Sequence, residues 1–189
     1  MDPSTDEAEP KAWERTGSQP GPDLMLFRAR TDRLRHPRSG REFDRLVLET
    51  PAWCNVVTRT GAGDFVLVRQ FRFGTQTVTT EIPGGMVDPG EAPLAAAQRE
   101  LREETGFEAS RWSCLGVVEP NAAFQDNLLH MFLAEDAQPS GVPTPDEGED
   151  IRVVRWSEAR VLEAVQAGEI RHSLVLCALA RVLDLRQSP

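Results

Sequence analysis

Glu100, Glu103 and Glu104 are spaced i, i+3 and i+4, so in a helix they share one face. Three like charges at that spacing repel one another and cost helix stability. A divalent cation among them removes the conflict, and a carboxylate-rich, all-oxygen site suits a hard ion such as Mg²⁺ or Mn²⁺. Upstream, Gly85 is followed after five residues by Glu91, and after seven more by Arg99-Glu100-Leu101-Arg102-Glu103-Glu104-Thr105-Gly106-Phe107. The run predicts a glycine-bearing loop entering a short helix over residues 92–105, with Gly106 as its C-cap. Leu94, Ala97 and Leu101 fall on a different helical face, available for burial. The plain alternative is an acidic, solvated helix.

The rest of the chain must position that helix. Residues 1–23 are rich in Pro, Gly, Ser and charge and predict a flexible tail. Residues 24–30 and 42–49 read as strands, separated by a turn at Pro37-Arg38-Ser39-Gly40. Residues 53–60 and 65–71 read as a hairpin across Gly61-Ala62-Gly63-Asp64. A strand over 77–82 leads into Pro83-Gly84-Gly85, where glycines permit turns and close backbone approach. Further strands are expected over 112–118, 128–134 and 151–156, with an acidic loop over 139–150. Ser157 and Ser173 are the expected caps of two closing helices, the last presenting Leu174, Leu176, Leu179 and Leu183. Strands, a helix, more strands and two helices argue for an α/β fold: a mixed sheet with helices on both faces.

Composition narrows the function classes. The 189 residues, 40% hydrophobic and 27% charged, are enough for one globular domain with a real core. A formal charge of -9 argues against a nucleic-acid partner. It also makes an anionic substrate unwelcome unless bound metal inverts the local field. The acidic N-terminus and the lack of a long apolar run predict no membrane partner. Cys54, Cys114 and Cys177 form no metal or disulfide pattern and lie in apolar stretches. They predict buried free thiols in a cytoplasmic protein.

The run from Gly85 to Phe107 matches the signature of the Nudix hydrolases at every fixed position, and the chain resembles that family. The likeness follows the order of elements over residues 53–185 and is sharpest over 81–107. It implies the Nudix fold, an α/β/α sandwich with a mixed β-sheet, plus N-terminal antiparallel strands. The implied division is a flexible tail over 1–23, strands over 24–50 that pair with a second subunit, and a Nudix hydrolase domain over 51–189. A homodimer follows from that pairing.

Nudix enzymes hydrolyse a nucleoside diphosphate linked to another moiety. The resemblance makes the Gly85 carbonyl, Glu100 and Glu104 metal ligands, with Glu103 a ligand directly or through water. The cofactor is Mg²⁺, with Mn²⁺ as the alternative. Arg99 orients these carboxylates, and Glu91 stabilises the loop. For the general base the resemblance points to the acidic loop, first to Glu149 and then to Glu147; Glu103 is the alternative within the motif. Arg69-Gln70-Phe71-Arg72, followed by Glu81-Ile82-Pro83-Gly84-Gly85, resembles the ADP-ribose and nucleotide-sugar pyrophosphatases. Arg69, Arg72 and Glu81 are therefore placed on the substrate, the plain alternative for either arginine being a surface position. Asn121 and Asn127 are expected to bind substrate hydroxyls or to shape a turn. Trp53 is expected to stack a nucleobase or to join the core.

The activity implied is metal-dependent cleavage of the diphosphate of a nucleoside diphosphate sugar, ADP-ribose included, to a nucleoside monophosphate and a sugar phosphate. The alternatives are a nucleoside triphosphate or dinucleoside polyphosphate hydrolase, and a non-catalytic module that senses a nucleotide.

Overall fold

The computed structural model describes residues 9–146 and 148–186. The chain divides into two compact units, Met1–Thr50 with Asn121–Asn127, and Pro51–Pro120 with Leu128–Pro189.

The first unit is an antiparallel sheet in the order β1 (Glu14–Asp23), β2 (Arg28–Arg35), β3 (Glu42–Glu49). A flexible tail was expected through residue 23, but residues 14–23 form β1. All ten of its residues are exposed, so it carries no hydropathy signal. Its strand character comes from cross-strand polar pairs: Glu14 faces Arg35, and Ser18 faces Asp32. The expected strand over 24–30 is displaced accordingly. Leu24 to Phe27 make the turn, where the Met25 N–H donates to Asp23 at 3.0 Å, and β2 begins at Arg28.

The second unit carries β4 (Trp53–Thr60), β5 (Phe65–Arg72), β6 (Thr77–Glu81), β7 (Gly84–Met86), α1 (Pro93–Thr105), β8 (Phe107–Glu108), β9 (Arg111–Val118), β10 (Leu129–Pro139), β11 (Arg152–Trp156), α2 (Glu158–Gln166) and α3 (Ser173–Leu179). Its eight strands form one sheet along the path β11-β5-β4-β10-β8, with β6 on β5, β7 on β4 and β9 on β10. The β4–β10 pairing is parallel and the other pairings are antiparallel, so the sheet is mixed.

Strand alternation sorts the core into two layers. Val57, Phe65, Leu67, Leu129 and Met131 pack with Val161 of α2 and Leu179 of α3. Val56, Val66, Phe132 and Ala134 pack on the other side with Ala96, Ala97 and Leu101 of α1. The result is a mixed sheet between helices, an α/β/α arrangement. Leu101 is fully buried, which stabilises the fold by roughly 1.5–3 kcal/mol and seats α1 on the sheet.

Local signals behave as the sequence predicts at most helix ends. Pro93 opens α1, and Gly106 closes it with φ 69° and an N–H donated to Arg102 O at 2.8 Å. The Ser157 hydroxyl caps α2 by accepting the Arg160 N–H at 3.3 Å. Ser173 differs: it is the first residue of α3, and His172 occupies the cap without a side-chain bond. Cys54 is buried, but Cys114 and Cys177 are exposed, contrary to the expectation of three buried thiols. Cys114 lies on β9, which pairs only with β10, and Cys177 lies on the outer side of α3. Among the described residues no helix is long and apolar enough to cross a membrane.

Candidate active site

Helix α1 and the loop that precedes it bring the acidic residues together. Gly85 lies opposite Cys54 in the β4–β7 ladder, and the Glu100 carboxylate rests against its backbone. A Cβ at Gly85 would sit 2.6 Å from Glu100 Cδ, and one at Gly84 would sit 2.7 Å from Asn55 Cα. Gly84 requires glycine because its neighbour is backbone, whereas a side chain at Gly85 would displace the Glu100 carboxylate. The Gly84 N–H donates to Glu104 Oε2 at 3.0 Å, which ties the end of α1 to the glycine strand.

Arg99 organises the remaining acids. Its Nε and Nη2 donate to the two Glu91 oxygens at 3.2 and 3.1 Å. Its Nη1 donates to Glu100 at 2.8 Å and to Glu103 at 3.2 Å, and Nη2 also reaches the Met86 carbonyl at 3.0 Å. Glu91 accepts the Asp88 N–H at 3.2 Å, so it braces the loop from within. One guanidinium therefore fixes the loop and two motif glutamates at once.

The electrostatics distinguish the glutamates. Burial pushes the Glu104 carboxyl up to about 8; the charges of Glu100 and Glu149 add to this, against the Gly84 N–H and Arg72. Burial also raises Glu100, reinforced by Glu103 and Glu149 and opposed by Arg99. The Thr144 N–H donates to the Glu103 carbonyl at 2.8 Å, which puts the acidic loop against the motif helix, and the charge of Glu149 acts on Glu100, Glu104 and Arg72. A turn holds Glu149 there: its N–H donates to Asp146 O at 2.9 Å, and its carboxylate accepts the Asp146 N–H at 3.2 Å. Glu147 lies outside the described residues.

The donor set fits a hard divalent cation. Among the described residues no three acidic, His or Cys side chains already converge on one point, because Arg99 holds Glu100 and Glu103. Yet Glu104 is 3% exposed, and its one donor among the described residues is the Gly84 N–H. Glu100 lies against the Gly85 backbone beside it. Two neighbouring carboxylates of raised affinity for protons, one buried and one half-buried, are what a cation relieves.

The substrate-side candidates divide by strand parity. Val66, Val68, Gln70 and Arg72 share the α1 face of β5, whereas Arg69 follows Phe65 and Leu67 onto the α2–α3 face. Arg72 thus joins the glutamates and Arg69 does not; Arg69 Nε has no hydrogen-bond partner among the described residues. Glu81 is not open to a substrate as expected. It is 3% exposed, its two oxygens each accept from Arg72 at 2.8 Å, and Oε1 also accepts the Thr79 hydroxyl at 2.6 Å. Trp53 is half-buried and packs on the α2–α3 core. Asn121 belongs to the first unit, where its side chain accepts the Ala123 N–H at 3.3 Å and shapes a turn. Asn127, in the same unit, is buried. Cys54 was not a site candidate; it lies opposite Gly85, and burial pushes its thiol up to about 12, too high for a nucleophile.

A family profile described as a NUDIX domain matches residues 48–177. The chain belongs to the Nudix family. This Nudix hydrolase is 30% identical to an ADP-ribose pyrophosphatase of Bacillus subtilis over 79% of its own length and 81% of the relative's. It is 30% identical to an ADP-ribose pyrophosphatase of Mycobacterium tuberculosis over 83% of its length and 76% of the relative's. Its fold matches a crystal structure of an ADP compounds hydrolase with a TM-score of 0.81, covering 92% of this chain and 94% of the other at 22% identity.

Proposed function

We propose that this Nudix hydrolase is a metal-dependent pyrophosphohydrolase of nucleoside diphosphate sugars, with ADP-ribose as the first substrate to test. The products are a nucleoside monophosphate and a sugar phosphate. The observation that carries the reading is the pair of carboxylates, buried Glu104 and half-buried Glu100, set against the Gly84-Gly85 backbone. Similarity to two ADP-ribose pyrophosphatases supports the substrate class.

In this reading Glu100, Glu104 and the Gly85 carbonyl hold Mg²⁺ or Mn²⁺, with Glu103 beside them. When bound there, the ion would supply charge to neutralise the diphosphate oxygens and to lower the pKa of the attacking water. Arg99 keeps Glu100 and Glu103 aimed, as second partners of metal ligands do. Glu149 takes the proton from water; Glu147 and Glu103 are the other bases to test. Arg72 meets the diphosphate, for which a guanidinium fork is well matched. The same chemistry needs no nucleic-acid or membrane partner, and we place it in the cytoplasm.

The protein acts as a homodimer. In the first unit only Ala29, Asp32 and Asn127 are buried among the described residues, too little for a three-stranded sheet without a covering surface. A second copy of this chain supplies one.

The test is a panel of ADP-ribose, GDP-mannose, UDP-glucose, a dinucleoside polyphosphate and nucleoside triphosphates with Mg²⁺, read by chromatography for monophosphate. Release from the diphosphate sugars, abolished by EDTA, is expected. Turnover of triphosphates or polyphosphates alone moves the enzyme to another Nudix activity. No turnover, with ADP-ribose still bound, makes it a sensor.

A further inference from the structure

The Arg72–Glu81 contact spans the β5–β6 hairpin. In register, Val68 faces Glu81, Gln70 faces Thr79, and Arg72 faces Thr77, so all six side chains leave the sheet on one face. Arg72 stands two rungs along the ladder from the Val68–Glu81 pair. Its side chain must lie back along the hairpin to reach Glu81, where Nε and Nη2 donate in parallel at 2.8 Å each. The Thr79 hydroxyl, from the rung between, donates to the same carboxylate at 2.6 Å. Nη1 has no partner among the described residues, and the Arg72 side chain is 43% exposed. The charges of Glu104 and Glu149 also act on this guanidinium, which puts it on the side of the acidic site.

Stability does not require this pair. Burying a carboxylate is costly, and apolar side chains of similar volume would hold a hairpin as well. Nor does the pair add net positive charge. It supplies geometry: a planar guanidinium locked along two of its nitrogens, with the third turned loose. A donor fixed in advance loses less entropy when it binds an anion. Glu81 ends β6 three residues before Gly84 opens β7, so the fork is anchored close in the chain to the glycine backbone of the site.

We propose that Glu81 is a positioning residue that, with Thr79, holds Arg72 so that its open edge receives the diphosphate of the substrate. The role rests on the diphosphate reading above. Glu81 itself does not touch substrate. The test compares wild type, E81Q, R72A and R72A/E81Q on ADP-ribose with Mg²⁺. E81Q should raise KM about tenfold, the size of one charge-assisted hydrogen bond, with kcat within about threefold. R72A should cost at least as much, and the double variant should be no worse than R72A within about twofold.

Two further readouts exclude a merely structural effect. Thermal denaturation should leave E81Q folded at the assay temperature. The Arg72 Nε–H resonance in ¹⁵N spectra should be shielded from exchange in wild type and exposed in E81Q. Because R72A strands the Glu81 charge, R72Q, whose amide still donates, replaces it in the same cycle should R72A not fold. Additive losses in the double variant, or an unchanged KM in folded E81Q, overturn the positioning role while leaving the substrate class intact. A wild-type enzyme inactive on every diphosphate sugar overturns the substrate class and this role with it.

Discussion

At the residue scale, Glu104 separates a metal-holding carboxylate from an ordinary helix glutamate. It is 3% exposed and, among the described residues, receives one hydrogen bond, from Gly84. A structural carboxylate buried this deeply would have a cationic partner, and the arginine of the motif is instead committed to Glu91, Glu100 and Glu103. Glu104→Gln is expected to lower kcat/KM by at least about a hundredfold to a thousandfold. In EDTA its melting temperature should equal or exceed that of wild type, because a carboxyl that burial forces to take up a proton is replaced by a neutral amide. Activity within tenfold of wild type would remove Glu104 from the site. Three motif glutamates were legible from spacing alone, since helical periodicity assigns a face without any tertiary information. Their division of labour was not legible, because it follows from burial and from which donor each one meets.

At the element scale, the α1 loop and the β1–β2 ladder make different demands. Arg99 joins the loop to the helix through Glu91, Met86, Glu100 and Glu103. Arg99→Gln should weaken divalent-metal binding by about 10–100-fold, measurable by calorimetry, with little change in helix content. In the ladder, Asp32 is 4% exposed; burial works against its ionisation, but the Ser18 hydroxyl and Arg30 outweigh that and hold its carboxyl below the ordinary range. The folded pKa being depressed, the stabilisation is present above the unfolded value of about 3.9 and is lost as pH falls through the lower folded value. Amide exchange of β1 should therefore accelerate below about pH 4, and Asp32→Asn should cost about 1–3 kcal/mol at neutral pH. A β1 equally protected in Asp32→Asn would show that the strand does not depend on this carboxylate.

At the scale of the whole molecule, the boundary between the two units falls between Thr50 and Pro51, and the loop Asn121–Asn127 returns to the first unit. The exposed β1 leads to the expectation of twice the chain mass by light scattering at micromolar concentration, and a monomeric mass would refute the homodimer. The sequence by itself determined the motif helix and its C-cap, most of the β4 to β6 and β9 to β11 strands, the two closing helices and the family. Each is written in local signals: a 3.6-residue or two-residue hydrophobic period, a glycine or serine at a cap, a fixed spacing of carboxylates. Only the tertiary structure decided that Arg72 rather than Arg69 shares the face of α1, because parity becomes a direction only once β5 is placed in the sheet. Only tertiary contacts showed that Glu81 is already taken by Arg72 and Thr79. The same holds for β1, whose polar residues become a strand through cross-strand partners 5 to 21 positions away in the chain, a distance over which no local pattern carries information.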